Sequence, residues 1–254
     1  MTRLIYAEII KLRSTAGPWV VVASAIGLTV FAIGMTGAFA GNPASMMGSP
    51  VAQLRWFNLT GVSAFAMVLG ILVGTADHRH GTIVPSLLAA PSRGRLGLAK
   101  SVSAVVAALV LATGAAAATA VAVPVTLAAI DVKFVAGWGA IAELWVLSAV
   151  ALAASALIGL GLGLLLARQS AALVVGLVVS FVVTPALTGL APHLAVFLPG
   201  MLEAAFTGSA AGLHEVGLGV REFGRAAAGL LLGGWAVGLV MLGTGRLVWS
   251  DAAA

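Results

Sequence analysis

No cysteine occurs anywhere in the 254 residues. Disulfides, thiolate metal sites, iron–sulfur clusters and a cysteine nucleophile are thereby excluded, and no lipoprotein anchor is expected. Charge is nearly as scarce. Asp, Glu, Lys and Arg make up 8% of the chain, where a soluble domain carries about 25%. A water-solvated surface cannot be built from so few charges, so a soluble enzyme, a stapled secreted domain and a disordered tail all fall away. What replaces the charge is apolar: 61% of residues are hydrophobic and the mean hydropathy is +1.14.

The few charges are unevenly placed. They leave six charge-free runs, 14–54, 56–76, 101–130, 144–167, 169–202 and 226–245, which hold two thirds of the chain. Crossing about 30 Å of hydrocarbon takes about 20 apolar residues, so each run is long enough. The expectation is an all-α polytopic membrane protein forming a single transmembrane domain over 1–254. Its six helices are placed at 18–40, 57–76, 101–130, 139–167, 170–191 and 226–247. Nine of the thirteen cations then fall on one side: Arg3, Lys11, Arg13, Arg79, Arg93, Arg95, Lys100, Arg168 and Arg246. By the positive-inside rule both termini are cytoplasmic and the chain sits in the cytoplasmic (inner) membrane. The net charge of +5 is therefore a topology signal, not a nucleic-acid patch. A cleaved signal peptide ending at Ala38-Phe39-Ala40 fits less well, because the apolar run from Trp19 exceeds the usual length of about 7–15 residues.

Residues 3–15 place Glu8, Lys11 and Thr15 on one helical side and Ile5, Ile9 and Leu12 on another, the pattern of a short interfacial helix. With Arg13 it would lie along the inner leaflet and turn into span 1 at Gly17-Pro18. Residues 41–54 read as an outside loop. The stretch 192–225 reads as a longer outside segment whose 199–213 part suits a re-entrant or interfacial helix. At 30 residues span 3 exceeds the bilayer, so tilt, a kink at Pro124 or a cytosolic extension is required. Gly70-x-x-x-Gly74, Gly159-x-Gly161-x-Gly163 and Gly229-x-x-x-Gly233 are expected to permit close helix approach.

The most informative segment is the cytoplasmic loop 74–100. Thr82 can N-cap a short helix, Pro85 is tolerated in its first turn and Pro91 ends it. About two turns would expose Ile83, Leu87 and Leu88, either to a groove on a partner or to the inner leaflet, where Arg93 and Arg95 would meet anionic lipid. An acidic residue (Asp77), Gly81-Thr82, Leu87-Leu88, Pro91-Ser92-Arg93 and a following Lys100 resemble the loop after span 2 of ABC-2 type transporter permeases. The segment from Ala7 to Thr15 resembles the interfacial start of the same family. Asp77 stands where the family usually has Glu. The resemblance implies a short cytoplasmic coupling helix over 82–90 seated in an ATPase. Asp77 and Arg79 would sit at its base, Gly81 would belong to the same coupling interface, and Arg93 and Lys100 would fix the return to span 3. It further implies cytosolic ATP-binding subunits and a second permease copy, homodimeric or paralogous, as partners beside membrane lipid. ATP and Mg would be held by the partner subunit, with no cofactor on this chain.

Gly94 to Ser101 approaches a phosphate cradle, but Ala99 replaces the second Gly and no strand precedes it. Asp77, His78 and His80 lack a third His or Cys for a metal. No His lies within an expected span to serve an intramembrane serine protease. An ion-coupled carrier needs an ionisable group inside a span; the sole candidate is Glu143, near the outer end of span 4. The reading that follows is not an enzyme but an exporter permease driven by a partner's ATP hydrolysis. Asn58, Thr60, Ser63, Ser148, Ser155 and Thr184, with Glu143, offer a path for an amphipathic drug, peptide or lipid. The alternatives are an ion-coupled secondary carrier and a non-transporting membrane scaffold or immunity protein.

Overall fold

A computed structural model describes residues 2–39, 49–79, 81, 92–208 and 223–249. These residues form helices and connecting turns, with no strand among them. The helices are α1 (Thr2–Ser14), α2 (Ala16–Ala38), α3 (Pro50–Trp56), α4 (Ser63–Arg79), α5 (Arg93–Ala129), α6 (Trp138–Leu166), α7 (Gln169–Leu190), α8 (Pro192–Ala195), α9 (Pro199–Thr207) and α10 (Arg225–Trp249). Six segments are long and apolar enough to cross a membrane: α2, α3 with α4, α5, α6, α7 and α10. The chain is an all-α, multi-pass membrane protein.

Burial sorts these spans. The second and fourth are more than half buried, whereas the first, fifth and sixth are less than a quarter buried. Phe31, Val121, Phe181, Leu230 and Met241 stand open on the outer helices. An apolar surface this extensive is tolerated when lipid rather than water covers it. The α4–α6 pair forms the centre, and small residues let it do so. A Cβ on Gly70 would overlap the carbonyl oxygen of Ala156, and one on Gly159 would overlap that of Met67. Gly161 and Gly243 bring α6 and α10 together in the same way, and Gly229 makes room for Phe206. The expected small-residue spacing thus acts in packing, although Gly233 faces open space.

Several boundaries differ from expectation for local reasons. The turn into span 1 falls at Thr15, which is extended, and Pro18 is accommodated in the first turn of α2, where its missing N–H is not needed. Residues 50–54 are helix rather than loop, because Ser49 accepts a bond from the Ala52 amide and Pro50 begins the turn. Span 3 begins at Arg93, capped by Ser92, and runs unbroken through Pro124. In α7 the winding loosens over Val179–Val183. Pro185 cannot donate to the carbonyl four residues back, and the Thr184 hydroxyl bonds the Val179 carbonyl at 2.9 Å.

At the end of the bundle remote from α1, Gln53 is fully buried and holds the α5–α6 connection. Its Nε2 donates to the Lys133 carbonyl at 2.8 Å, and its Oε1 accepts from the amides of Val135 at 2.8 Å and Ala136 at 3.0 Å. Gln53→Ala is expected to destabilise the protein by about 2 kcal/mol, because the buried Ala136 amide loses its acceptor. Thermal unfolding in mild detergent measures this, and Gln53→Glu should restore the two accepted bonds while losing the donated one.

Candidate functional site

α1 places Glu8 and Lys11 three residues apart, on one helical face. The last turn of α4 carries Asp77, and Lys100 lies seven residues into α5, about 10 Å along its axis. Folding brings these four charges from three helices into one ring. Lys11 Nζ lies 2.6 Å from Glu8 Oε1 and 3.0 Å from Asp77 Oδ1. Lys100 Nζ lies 3.2 Å from Glu8 Oε2 and 2.8 Å from Asp77 Oδ2. Acid and base alternate, and the ring is neutral.

Its burial is uneven. The side chains of Asp77 and Lys100 are each 1% exposed and that of Glu8 is 6%, whereas Lys11 is 39% exposed. An ammonium with no water needs three acceptors, and Lys100 finds the third in the Val73 carbonyl at 3.3 Å. Removing such ions from water costs several kcal/mol each, which only this degree of mutual bonding offsets. Burial alone would lower the pKa of Lys11; the hydrogen bonds and charges of Glu8 and Asp77 outweigh it and hold the ammonium above its ordinary value. A cavity of about 490 Å³ adjoins the ring, lined by Lys11, Thr15, Leu72, Asp77, Arg79 and Gln169 among others. The Arg79 guanidinium donates to Gln169 Oε1 at 3.3 Å and so joins the end of α4 to the start of α7.

Glu8 and Lys11 therefore face protein, not the aqueous side of an interfacial helix as the periodicity suggested. Arg13 remains exposed, and its carbonyl accepts from the Trp19 indole at 3.3 Å. Gly81 has a left-handed φ of 65°, which favours glycine there. Thr82, Ile83, Leu87, Leu88 and Pro91 lie outside the described residues, and with them the 82–90 helix. Arg93 opens α5. The stretch that approaches a phosphate cradle, 94–101, is helical throughout, and Gly97 there abuts Thr244. The Asp77 carboxylate, which stands beside His78 in the chain, lies on two ammonium groups; His80 lies outside the described residues.

The polar span residues part company. Asn58 Oδ1 caps the Thr60 amide at 2.7 Å and lines a separate cavity of about 430 Å³ with Thr29 and Arg55. Thr184 bonds within its own helix and lies against Gly200. Ser148 is buried, with a hydroxyl that has no partner in the structure. Glu143 is exposed at the far end and pairs with Arg225 at 3.0 Å. Ser63 and Ser155 instead meet Glu203. That residue falls within the 199–213 stretch read as a re-entrant or interfacial helix, but is not among the candidate site residues, and it is 2% exposed. The sequence missed it because α9, too short to span, enters the bundle between spans. Its signal was an acidic residue inside the apolar 199–213 stretch. No family model matches the chain, and no curated protein matches it.

Proposed function

We propose that the chain is the membrane-spanning permease subunit of an ATP-binding cassette exporter, with cytoplasmic termini in the cytoplasmic membrane. It moves an amphipathic, drug-, peptide- or lipid-like substrate with ATP hydrolysed on a separate subunit that also holds Mg. A second permease copy completes the assembly. One observation carries this reading: the Glu8–Lys11–Asp77–Lys100 ring ties α1 to the two helices that flank the 80–91 loop. A force applied to that loop would reach α4 and α5 together, with α1 as a brace along the membrane surface. Leverage of this kind needs a stiff joint, and a buried ring of ion pairs supplies one.

The test is co-purification. The tagged chain extracted from its native membrane should carry ATPase activity with it, and Leu87→Asp/Leu88→Asp should lose at least tenfold of that activity while the chain remains folded. Undiminished co-purification would overturn the docking assignment. The ion-coupled carrier has one observation in its favour, the buried Glu203. Transport that collapses with an ionophore while ATP is held constant would select it.

A further inference from the structure

We propose that Glu203 is a proton-binding site and that the bound proton seats α9 among the spans, so that its loss releases this helix from α6 and α10. The Ser155 hydroxyl meets Glu203 Oε2 at 3.3 Å. Ser155 is 17 residues from Trp138 and 11 from Leu166, about 25 Å and 17 Å from the two ends of α6. Glu203 therefore lies well inside the bundle. An ionisable group at such depth is held by a partner of opposite charge or is neutral.

No such partner faces it among the described residues. α6 carries only Glu143, 12 residues from Ser155, exposed and paired with Arg225. α10 carries Arg225 and Arg246, one at its first position and one in its last turn. α4 starts at Ser63 and has its titratable residues Asp77, His78 and Arg79 at its opposite end; the Thr60–Val62 turn and α7 carry none, and His193 of α8 is exposed.

Hydrogen bonding points the same way. A carboxylate accepts up to about four bonds, yet Oε1 has no donor. Ser63 lies against the carboxyl but donates its own proton to the Thr60 carbonyl at 2.8 Å. Its oxygen can then only accept, which suits a carboxylic acid O–H and not a carboxylate. Glu203 lines neither the cavity at the ring nor the one beside Asn58. Burial pushes the carboxyl up to about 8, and the bond from the Ser155 hydroxyl opposes this less strongly.

The sign follows from linkage. Seated Glu203 holds its proton up to about pH 8, whereas an unseated, solvated one releases it near its ordinary value of 4.5. Seating is strongest below the ordinary value, weakens about tenfold per pH unit between the two, and is constant above the higher one. The absence of cysteine makes the test direct. Leu202→Cys, on α9 and 1% exposed in the native chain, is introduced with and without Glu203→Gln. The full chain is placed in lipid nanodiscs and labelled with a charged methanethiosulfonate.

Between about pH 6 and 8, labelling of the Glu203 chain relative to the Glu203→Gln chain should rise about 100-fold. The ratio cancels the thiol's own pH dependence. A ratio that stays flat would overturn the proposal. Infrared spectroscopy on the unmodified sequence gives a second readout that needs no variant to fold. A protonated carboxyl stretch should persist at neutral pH and disappear above about pH 9. Its absence at neutral pH would equally overturn the proposal. Neither measurement involves an ATPase, so failure here leaves the exporter reading standing, and the reverse also holds.

Discussion

Lys100→Met is expected to destabilise the protein by about 3–5 kcal/mol, the cost typical of leaving buried ions uncompensated. Asp77 would lose the ammonium at 2.8 Å, and Glu8 would lose its deeper partner. Lys11→Met removes the same formal charge from the same ring. Its position is 39% exposed, however, and water can enter where the ammonium was, so a loss of about 1 kcal/mol is expected. This asymmetry between two lysines of one ring separates burial from simple charge counting. Removing a whole pair should be gentler than removing half: Asp77→Asn with Lys100→Met should recover a large part of the loss. Unfolding in mild detergent, followed by tryptophan fluorescence, measures all three variants. Equal losses for Lys100→Met and Lys11→Met would show that the ring is solvated and not the stiff joint proposed.

Much of this ring was legible as position but not as contact. Asp77 closes the charge-free run 56–76 and Lys100 immediately precedes the run 101–130. Residues that end adjacent spans on one side share a depth, and that much can be read from the sequence. What could not be read is the rotation of each helix about its axis. Helices this uniformly apolar show little preferred face, so periodicity cannot say that Asp77 and Lys100 turn toward each other. In α1 the periodicity was clear but its sense was inverted. Glu8 lies on a polar stripe, and a polar stripe ordinarily faces water; here a second polar group, Lys100, waits inside the protein. Glu203 was lost for a related reason. The apolar 199–213 stretch suits a re-entrant or interfacial helix, but only tertiary packing shows α9 set against α6 and α10 with Glu203 turned inward.

Gly70→Ala and Gly159→Ala are each expected to cost about 3 kcal/mol, the upper part of the range for overpacking. At both positions the added methyl would meet backbone, the carbonyl of Ala156 in one case and of Met67 in the other. A side chain could rotate away, but a helix backbone cannot, so α4 and α6 must separate along their length. Gly74 and Gly163 lie on the same seam. A Cβ on Gly74 would come 2.8 Å from the Leu160 carbonyl, and one on Gly163 would come 3.0 Å from that of Ile71. Once the seam has opened for the first methyl, a second costs less, so the double variant should lose clearly less than the sum. Gly233→Ala supplies the control, because nothing lies within 4 Å of its added carbon. It should be neutral or stabilise by up to about 1 kcal/mol through helix propensity. The same separation displaces the end of α4 that carries Asp77, which couples the central seam to the charged ring. Gly70→Ala should therefore also reduce the difference between Lys100→Met and the native residue, since water would reach a loosened ring. Full additivity of Gly70→Ala with Lys100→Met would show that seam and ring are independent, and a force on the loop would then have no rigid route into the core of the bundle.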